Sequence, residues 1–327
     1  MVEELHSGLP GDIAGRFGAA TRAWFEAAFA APTPAQAGAW RTISAGRHAL
    51  VVAPTGSGKT LAAFLWSLDR LANTPPPAER LHRCRVLYVS PLKALAVDVE
   101  RNLRTPLTGI RQAAHRLGLP LPDIGVGMRT GDTPAEERRA FAKRPPDILI
   151  TTPESLFLLL TSSAREALRG VETVIVDEVH AVCATKRGAH LALSLERLDA
   201  LLPRPAQRIG LSATVRPIEE TARFLGGSAP VEVVQPPSAK TIEITVEVPV
   251  EDMTEIATDE APSDARRQGA DEPRRGSIWP AVEERVLQLI EEHRSTIVFV
   301  NGRRGAERLC ARLNELAWER AGGQPAP

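Results

Sequence analysis

The sequence is poor in the features that define several common protein classes. Its three cysteines, Cys84, Cys183 and Cys310, lie far apart and form no CxxC pair. This spacing argues against a disulfide framework and against a zinc site, and it favours a reduced compartment. Lysine plus arginine and aspartate plus glutamate both number 40, so the net charge gives no support to an acidic partner such as nucleic acid. Any such partner must be recognised by local sites.

Long apolar runs and a leader segment are also missing. The longest apolar runs, such as LFLLL at 156–160, are far shorter than the roughly 20 residues that a membrane span needs. The N-terminus, MVEELHSGLPGD, has no basic start followed by an apolar segment. These observations predict a soluble, cytoplasmic protein with no membrane partner and leave the oligomeric state open.

Short runs rich in valine, isoleucine and leucine alternate with stretches of helical spacing. The runs are HALVVA at 48–53, RVLYVS at 85–90, DIGVGM at 123–128, DILIT at 147–151, TVIVD at 173–177 and RIGLSA at 208–213. Continuous apolar strands between helices are typical of a parallel sheet covered on both faces. The pattern predicts an α/β domain with a doubly wound parallel sheet over residues 1–233.

The chain changes character after this domain. KTIEITVEVPV at 240–250 alternates like a strand, whereas 251–277 is charged, contains proline and has few large apolar residues. The strand and helix pattern then restarts with a helix at 279–293, a buried strand at 295–300 and a helix at 305–320. We predict a connecting strand and flexible linker over 234–278 and the start of a second, incomplete α/β domain over 279–327.

A glycine-rich loop, VVAPTGSGKT, follows the first predicted strand and precedes a predicted helix. Its candidate ligand-binding residues are Thr55, Gly56, Ser57, Gly58, Lys59 and Thr60. Gly56 and Gly58 allow a tight turn that points backbone N–H groups at a phosphate. Lys59 supplies a charge for the β and γ phosphates, and the Thr60 hydroxyl is suited to bind Mg²⁺. The loop predicts an ATP site, although Ala53 replaces the first glycine of the general pattern.

Two acids end the predicted strand in VIVDEVH at 174–180. Asp177 is interpreted as a Mg²⁺ ligand and Glu178 as the residue that polarises a water against the γ-phosphate. Taken alone, two acids at a strand end would be capping groups, so the interpretation depends on their position after the loop in the chain. Asp177, Glu178 and Lys59 are the predicted catalytic residues. His180 is a weaker candidate, because a lone histidine is usually a core or hinge residue.

With both motifs present, the chain resembles superfamily 2 DEAD/DEAH-type helicases, and DEVH together with APTGSGKTLAAFLW resembles the Lhr (large helicase-related) family. The resemblance implies a RecA-like P-loop domain followed by an incomplete second RecA-like domain. PTPAQ at 32–36 is similar to the Q motif, in which Gln36 would bind the adenine edge, with Trp24 and Phe29 both open as stacking partners. LSAT is similar to motif III, which would couple the nucleotide state to binding of the nucleic-acid strand. The residues implied in this coupling are His180, Ser212, Ala213 and Thr214. The same residues could also form an N-cap on the following helix, and both readings can be true.

Further segments are similar to the loops that hold a nucleic-acid backbone in this family. The candidate contact residues are Pro91, Lys93, Arg129, Thr130, Gly131, Thr152, Pro153, Glu154, Ser155, Asn301 and Arg303. Their small hydroxyls, backbone N–H groups and cations suit phosphate contact without base reading. Taken singly, each segment is an ordinary loop, and TPES is a good helix-capping pattern. Single-stranded nucleic acid is therefore the expected partner, with DNA favoured over RNA.

The resemblance implies an ATP-dependent helicase or translocase, with ATP and Mg²⁺ as cofactors. Residues 305–327 contain no candidate for the arginine finger, and motifs V and VI are not found. The alternative is a module that binds nucleotide and nucleic acid with little ATP turnover, so we expect impaired hydrolysis in this chain alone. A P-loop kinase or a transporter ATPase would show its own signatures, which this sequence lacks.

Overall fold

The structure is a computed structural model that describes residues 9, 11–213, 215–237, 243–249 and 278–322. The chain divides into two compact units, Met1–Ala239 and Lys240–Pro327. Thr214 and the charged part of the predicted linker, 251–277, lie outside the described residues, and the predicted domain boundaries stay a prediction.

The first unit is built on a seven-stranded sheet in which every recorded strand pairing is parallel. The strands are β1 His48–Val52, β2 Val86–Val89, β3 Val126–Arg129, β4 Ile148–Thr151, β5 Thr173–Val176, β6 Gln207–Ser212 and β7 Val231–Val234. Their spatial order is β3-β4-β2-β5-β6-β1-β7. The six strands expected from the sequence are all present, and the α/β parallel-sheet prediction is confirmed.

Helices cover both faces of this sheet, as continuous apolar strands require. The helices are α1 Gly11–Ala14, α2 Ala19–Ala28, α3 Pro34–Ser44, α4 Lys59–Asn73, α5 Lys93–Arg116, α6 Ala135–Lys143, α7 Pro153–Leu160, α8 Val179–Val182, α9 Lys186–Leu201 and α10 Ile218–Gly226. Consecutive strand residues enter opposite clusters: Tyr88 packs with Trp40 and Phe64 on one face, and Leu87 packs with Leu191 on the other. Each strand therefore contributes to two apolar layers.

The seventh strand was missed by the sequence analysis. β7 lies at the sheet edge, where Val233 is exposed and Glu232 accepts a hydrogen bond from the Thr42 hydroxyl. An edge strand is covered on fewer sides than a central one, so it carries a mixed polar and apolar pattern rather than a continuous apolar run.

The described residues of the second unit form two helices, α11 Trp279–Glu292 and α12 Arg303–Arg320. They agree with the two helices predicted there, and each has one buried leucine, Leu287 and Leu309. Arg320 forms ion pairs with Glu284 and, at 2.6 Å, with Glu291. These contacts join the end of α12 to α11.

The sequence predicts strands at 240–250 and 295–300, and both predictions are wrong for the residues that the structure describes there. Residues 296–300 form no strand, and Ile297 and Phe299 are 80% and 90% exposed. Residues 243–249 also form no strand, and Val246 is exposed. A strand needs a neighbour to pair its N–H and C=O groups, and neither described segment has one.

The parallel arrangement brings the loops that follow the strands to one edge of the sheet. β5, β6 and β1 are neighbours, and they are followed by the two acids, motif III and the glycine-rich loop. β3, β4 and β2 form the other half, followed by the segments predicted to hold nucleic acid. Among the described helices, none is long and apolar enough to cross a membrane.

Candidate functional site

The loop between β1 and α4 has a backbone that requires glycine at two positions. Gly56 and Gly58 adopt φ values of 83° and 79°, a left-handed conformation that other residues rarely adopt. A Cβ atom at Gly58 would lie 2.4 Å from the side-chain nitrogen of Gln36, whereas one at Gly56 would meet open space. The loop therefore keeps an open rim at Gly56 and a close contact with α3 at Gly58.

Lys59, the first residue of α4, is folded back onto this loop. Its ammonium donates hydrogen bonds to the carbonyl oxygens of Ala53 at 2.6 Å and Pro54 at 2.9 Å. Burial lowers the pKa of Lys59, while the charges of Glu178 and Asp177 act in the opposite direction. The Ser57 hydroxyl oxygen is buried with no hydrogen-bond partner in the described chain. An unpaired donor beside a cation at a helix start fits a bound phosphate.

The start of α3 is tied to the loop by two side chains. Thr33 and Gln36 form a capping box, and the Thr33 hydroxyl also donates to the Ser57 carbonyl at 2.7 Å. The Gln36 amide nitrogen donates to the Gly58 carbonyl at 3.4 Å, and its oxygen accepts from the Thr33 N–H. Gln36 is 5% exposed. The structure thus places Gln36 at the glycine-rich loop, with both ends of its side-chain amide hydrogen-bonded within the protein. Adenine binding by Gln36 stays a prediction.

The two aromatic residues proposed to stack on adenine differ in exposure. Trp24 is buried, and its ring lies so close to α5 that a Cβ atom at Gly109 would be 2.1 Å from it. Phe29 is 40% exposed and contacts the rings of Trp24 and Phe25. Of the two, Phe29 is the one with an accessible face.

Asp177 and Glu178 lie at the end of β5. Asp177 is 8% exposed, and its carboxylate accepts from the Glu178 N–H at 2.9 Å and from the Tyr88 hydroxyl. Glu178 has a φ of 44°, which is uncommon for a residue with a side chain and turns the chain into α8. Burial, reinforced by the Asp177 charge, raises the pKa of Tyr88, so its hydroxyl keeps its proton. The sequence-based prediction did not include Tyr88. The feature that could have indicated it is a hydroxyl-bearing side chain in an otherwise aliphatic strand.

His180 connects the acids to the loop after β6. Its Nδ1 atom lies 3.2 Å from the Ser212 hydroxyl and 3.3 Å from both the Ala213 amide nitrogen and a Glu178 carboxylate oxygen. The Ala213 N–H is the donor in its contact with Nδ1. The alternative reading of motif III as an N-cap is wrong, since Pro217 precedes the first residue of α10.

Mg²⁺ prefers oxygen ligands and usually combines one or two protein groups with phosphate oxygens and waters. The Thr60 hydroxyl and the Asp177 carboxylate are groups of this kind. Thr60 lies at the start of α4, and Asp177 directly follows β5, both at the same edge of the sheet. In the described part of the chain, no cluster of three or more His, Cys, Asp or Glu could hold a metal by itself. The donor set fits a metal that shares its coordination with a bound phosphate.

The loops after β2 and β3 are joined by an ion pair. The Lys93 ammonium lies 2.6 Å from an Asp132 carboxylate oxygen, and both side chains are exposed. Pro91 and Thr130 are buried, whereas Gly131 is exposed. The Arg129 guanidinium lies 5.5 Å over the Phe141 ring, with one terminal nitrogen buried and unpaired among the described residues. Burial lowers the pKa of Arg129.

The segment after β4 forms the predicted helix cap. Thr152 is the N-cap of α7 and accepts from the Ser155 N–H, and both residues are buried, as is Pro153. Glu154 is exposed, and its carboxylate accepts hydrogen bonds from Nε and, at 3.0 Å, from Nη2 of Arg187. This pairing lowers the pKa of Glu154.

Arg187 is not among the residues predicted from the sequence. It belongs to TKRG at the start of α9, which reads as an ordinary helix start. In the second unit, Asn301 and Arg303 are exposed just before and at the first residue of α12. Nucleic-acid contact by Asn301, Arg303 and the other predicted contact residues stays a prediction.

Fold and site together define a RecA-like P-loop domain, with the glycine-rich loop after β1 and the acid pair after β5. The chain belongs to the DEAD/DEAH box helicase family, whose model matches residues 33–221. The predicted resemblance to Lhr-type superfamily 2 helicases is confirmed by its relatives.

The chain is 64% identical over 311 residues to the Lhr helicase/probable uracil glycosylase of Mycolicibacterium smegmatis, covering 95% of this chain and 19% of that protein. It is 40% identical to the ATP-dependent helicase Lhr-Core of Methanocaldococcus jannaschii, covering 91% of this chain and 33% of that protein. A structure of the Mycobacterium smegmatis helicase Lhr bound to ssDNA and AMP-PNP matches with a TM-score of 0.73 and 64% identity, covering 95% of this chain and 37% of that chain. The chain therefore spans between a fifth and two fifths of these relatives.

Proposed function

We propose that this chain carries the ATP-binding part of a helicase or translocase of the Lhr type, which moves on single-stranded nucleic acid. The observation that carries the proposal is that four separate motifs meet in pairs at one sheet edge. Gln36 meets the glycine-rich loop at Gly58, and His180 joins Glu178 to Ser212. The relative's complex with ssDNA and AMP-PNP supports both ligands and favours DNA over RNA.

The residues of this edge have distinct roles in the proposal. The loop N–H groups and Lys59 bind the β and γ phosphates, and Lys59 leaves the Ala53 and Pro54 carbonyls to do so. Thr60 and Asp177 hold Mg²⁺, which supplies charge neutralisation at the phosphates when bound. Glu178 orients the attacking water and accepts its proton.

Coupling between the two ligands runs through His180. Its Nδ1 atom contacts Glu178 on one side and Ser212 and Ala213 on the other. A movement of Glu178 toward a nucleotide changes these contacts and displaces the loop after β6. Thr214, the next residue along the chain, takes part in the same coupling.

Nucleic acid lies across the loops after β2, β3 and β4 in this proposal. Lys93 is an exposed cation in these loops, and Gly131 is an exposed residue whose backbone N–H could meet a phosphate. Binding is directed at the phosphate backbone, so it tolerates many sequences and weakens with salt.

Hydrolysis by these 327 residues alone is expected to be slow. An arginine finger contributes roughly 10³- to 10⁵-fold in rate, and residues 305–327 contain no Gly-Arg-rich motif that could supply one. Binding of ATP depends on the first unit and should be retained.

The test compares wild type with Glu178→Gln in nucleotide binding and in ATP hydrolysis with and without single-stranded DNA. We expect similar ATP affinity for the two proteins and slow hydrolysis by wild type that falls further in the variant. Equal hydrolysis by both proteins would remove Glu178 from the chemistry. Fast, DNA-stimulated hydrolysis together with unwinding by the monomer would contradict the expected low turnover.

A further inference from the structure

The chain contains one tyrosine, Tyr88, and it lies in the core next to the acid pair. Tyr88 is fully buried in the middle of β2, and its hydroxyl donates a hydrogen bond to Oδ2 of Asp177. A buried hydroxyl needs a partner, and here the partner is the proposed metal ligand.

Strand register explains how the phenol reaches this carboxylate. Tyr88 pairs with Ile175 of β5, and Asp177 follows two residues later on the same face. β2 and β5 are adjacent and parallel, so the long side chain of Tyr88 extends along the sheet face toward the end of β5. A phenylalanine at this position would fill the same space without the hydrogen bond.

The ring is fixed by α4, the helix that begins with Lys59 and Thr60. The Phe64 ring of α4 stacks on the Tyr88 ring with a centroid distance of 5.0 Å and an interplanar angle of 29°. The phenol thus links the helix that carries the phosphate-binding residues to the strand that carries the acid.

Both oxygens of the Asp177 carboxylate are held. Oδ1 accepts from the Glu178 N–H at 2.9 Å, and Oδ2 accepts from the Tyr88 hydroxyl. Two donors on different elements restrict rotation of the carboxylate about its side-chain bonds. A carboxylate that is held in advance loses less freedom when it binds a cation.

We propose that Tyr88 is a positioning residue that orients the Asp177 carboxylate for Mg²⁺, an inference that rests on the proposed ATP function. Tyr88 acts through Asp177 and does not touch the nucleotide. Its hydroxyl should therefore affect the metal-dependent part of nucleotide affinity and leave the metal-independent part unchanged.

The test uses Tyr88→Phe and measures AMP-PNP affinity in excess EDTA and in saturating MgCl₂. The ratio of the two affinities is the gain due to Mg²⁺. We expect this gain to fall about 10-fold in Tyr88→Phe, the size typical for loss of a group that holds a metal ligand. Affinity in EDTA should equal that of wild type.

Ile150→Val is the matched control for packing. Ile150 pairs with Tyr88 on its other side and is fully buried, so this change loosens the same part of the core without touching a hydrogen bond. Its Mg²⁺ gain should equal that of wild type. In an Asp177→Asn background, Tyr88→Phe should cause no further loss of the gain.

Four results would overturn the inference. The first is an unchanged Mg²⁺ gain in Tyr88→Phe, and the second is a Tyr88→Phe variant that loses the same affinity in EDTA as in MgCl₂. The third is a loss of Mg²⁺ gain in Ile150→Val equal to that in Tyr88→Phe. The fourth is a Tyr88→Phe chain that does not fold, which would assign the hydroxyl to stability. A wild type without any Mg²⁺ gain would instead remove the proposed ATP function, and the inference with it.

Discussion

At the residue scale, Lys59 is the charged side chain of the APTGSGKT loop. Its ammonium is held by two loop carbonyls, partly buried, and subject to the opposing charges of Glu178 and Asp177. This arrangement keeps a cation inside the loop before a ligand arrives. The loop has no second Lys or Arg that could replace it.

Lys59→Ala is expected to weaken binding of Mg·ATP by about 10- to 100-fold, since a hydrogen bond to a charged group contributes about 1.5–3 kcal/mol. Calorimetric titration measures the change. Lys143→Ala, at the exposed end of α6, is the control and should bind as wild type does. Equal ATP affinity in wild type and Lys59→Ala would contradict the placement of the phosphates.

At the scale of elements, ion pairs hold the segments after β2, β3 and β4. Lys93 pairs with Asp132, and Arg187 pairs with Glu154. Each of these two cations is therefore held by a carboxylate. A phosphate that binds either cation must compete with its acid.

Lys93→Ala is expected to reduce affinity for an oligo-dT strand and to lower the slope of log affinity against log salt by about 1. Asp132→Asn should raise the affinity by up to about 5-fold, because an exposed ion pair contributes no more than about 1 kcal/mol. Fluorescence anisotropy across a salt series measures both effects.

Two controls distinguish competition between Asp132 and a phosphate for Lys93 from a general effect of the protein's charge. Arg104→Ala removes an exposed cation elsewhere on α5 and should leave the salt slope unchanged. In the Lys93→Ala background, Asp132→Asn should no longer raise affinity. A salt slope that is the same in wild type and Lys93→Ala would exclude a phosphate contact at Lys93.

At the scale of the whole molecule, the two units differ in how they cover their apolar residues. The first has apolar clusters on both faces of its sheet. In the second, Ile297 and Phe299 are largely exposed, and its described residues include no strand that pairs with 296–300. Exposed apolar groups of this size are prone to association.

We therefore expect the 327-residue chain to self-associate with rising concentration, and Phe299→Ser with Ile297→Ser to reduce this association. Sedimentation velocity over a concentration series measures it. Leu193→Ser is the control, because Leu193 is 60% exposed on α9 in the first unit. If that change reduces association as much as the pair does, the second unit is not the cause.

Much of the first unit follows from local sequence. The glycine-rich loop needs positive φ at Gly56 and Gly58, and the TPES cap forms within four residues at Thr152. Central strands could be predicted because residues buried on both faces are continuously apolar. Motif order further indicated the roles of the acids at 177 and 178, because two acids at a strand end suggest a metal and water site only when they come after a glycine-rich loop in the chain.

Tertiary structure alone decided which of these groups meet. The bond from Tyr88 to Asp177 requires β2 beside β5, and the Lys93–Asp132 pair requires the loops after β2 and β3 to meet. Strand order is a long-range property that no local pattern carries. The segment 296–300 shows the same limit, because its apolar run predicts a strand while a strand exists only where another strand pairs with it.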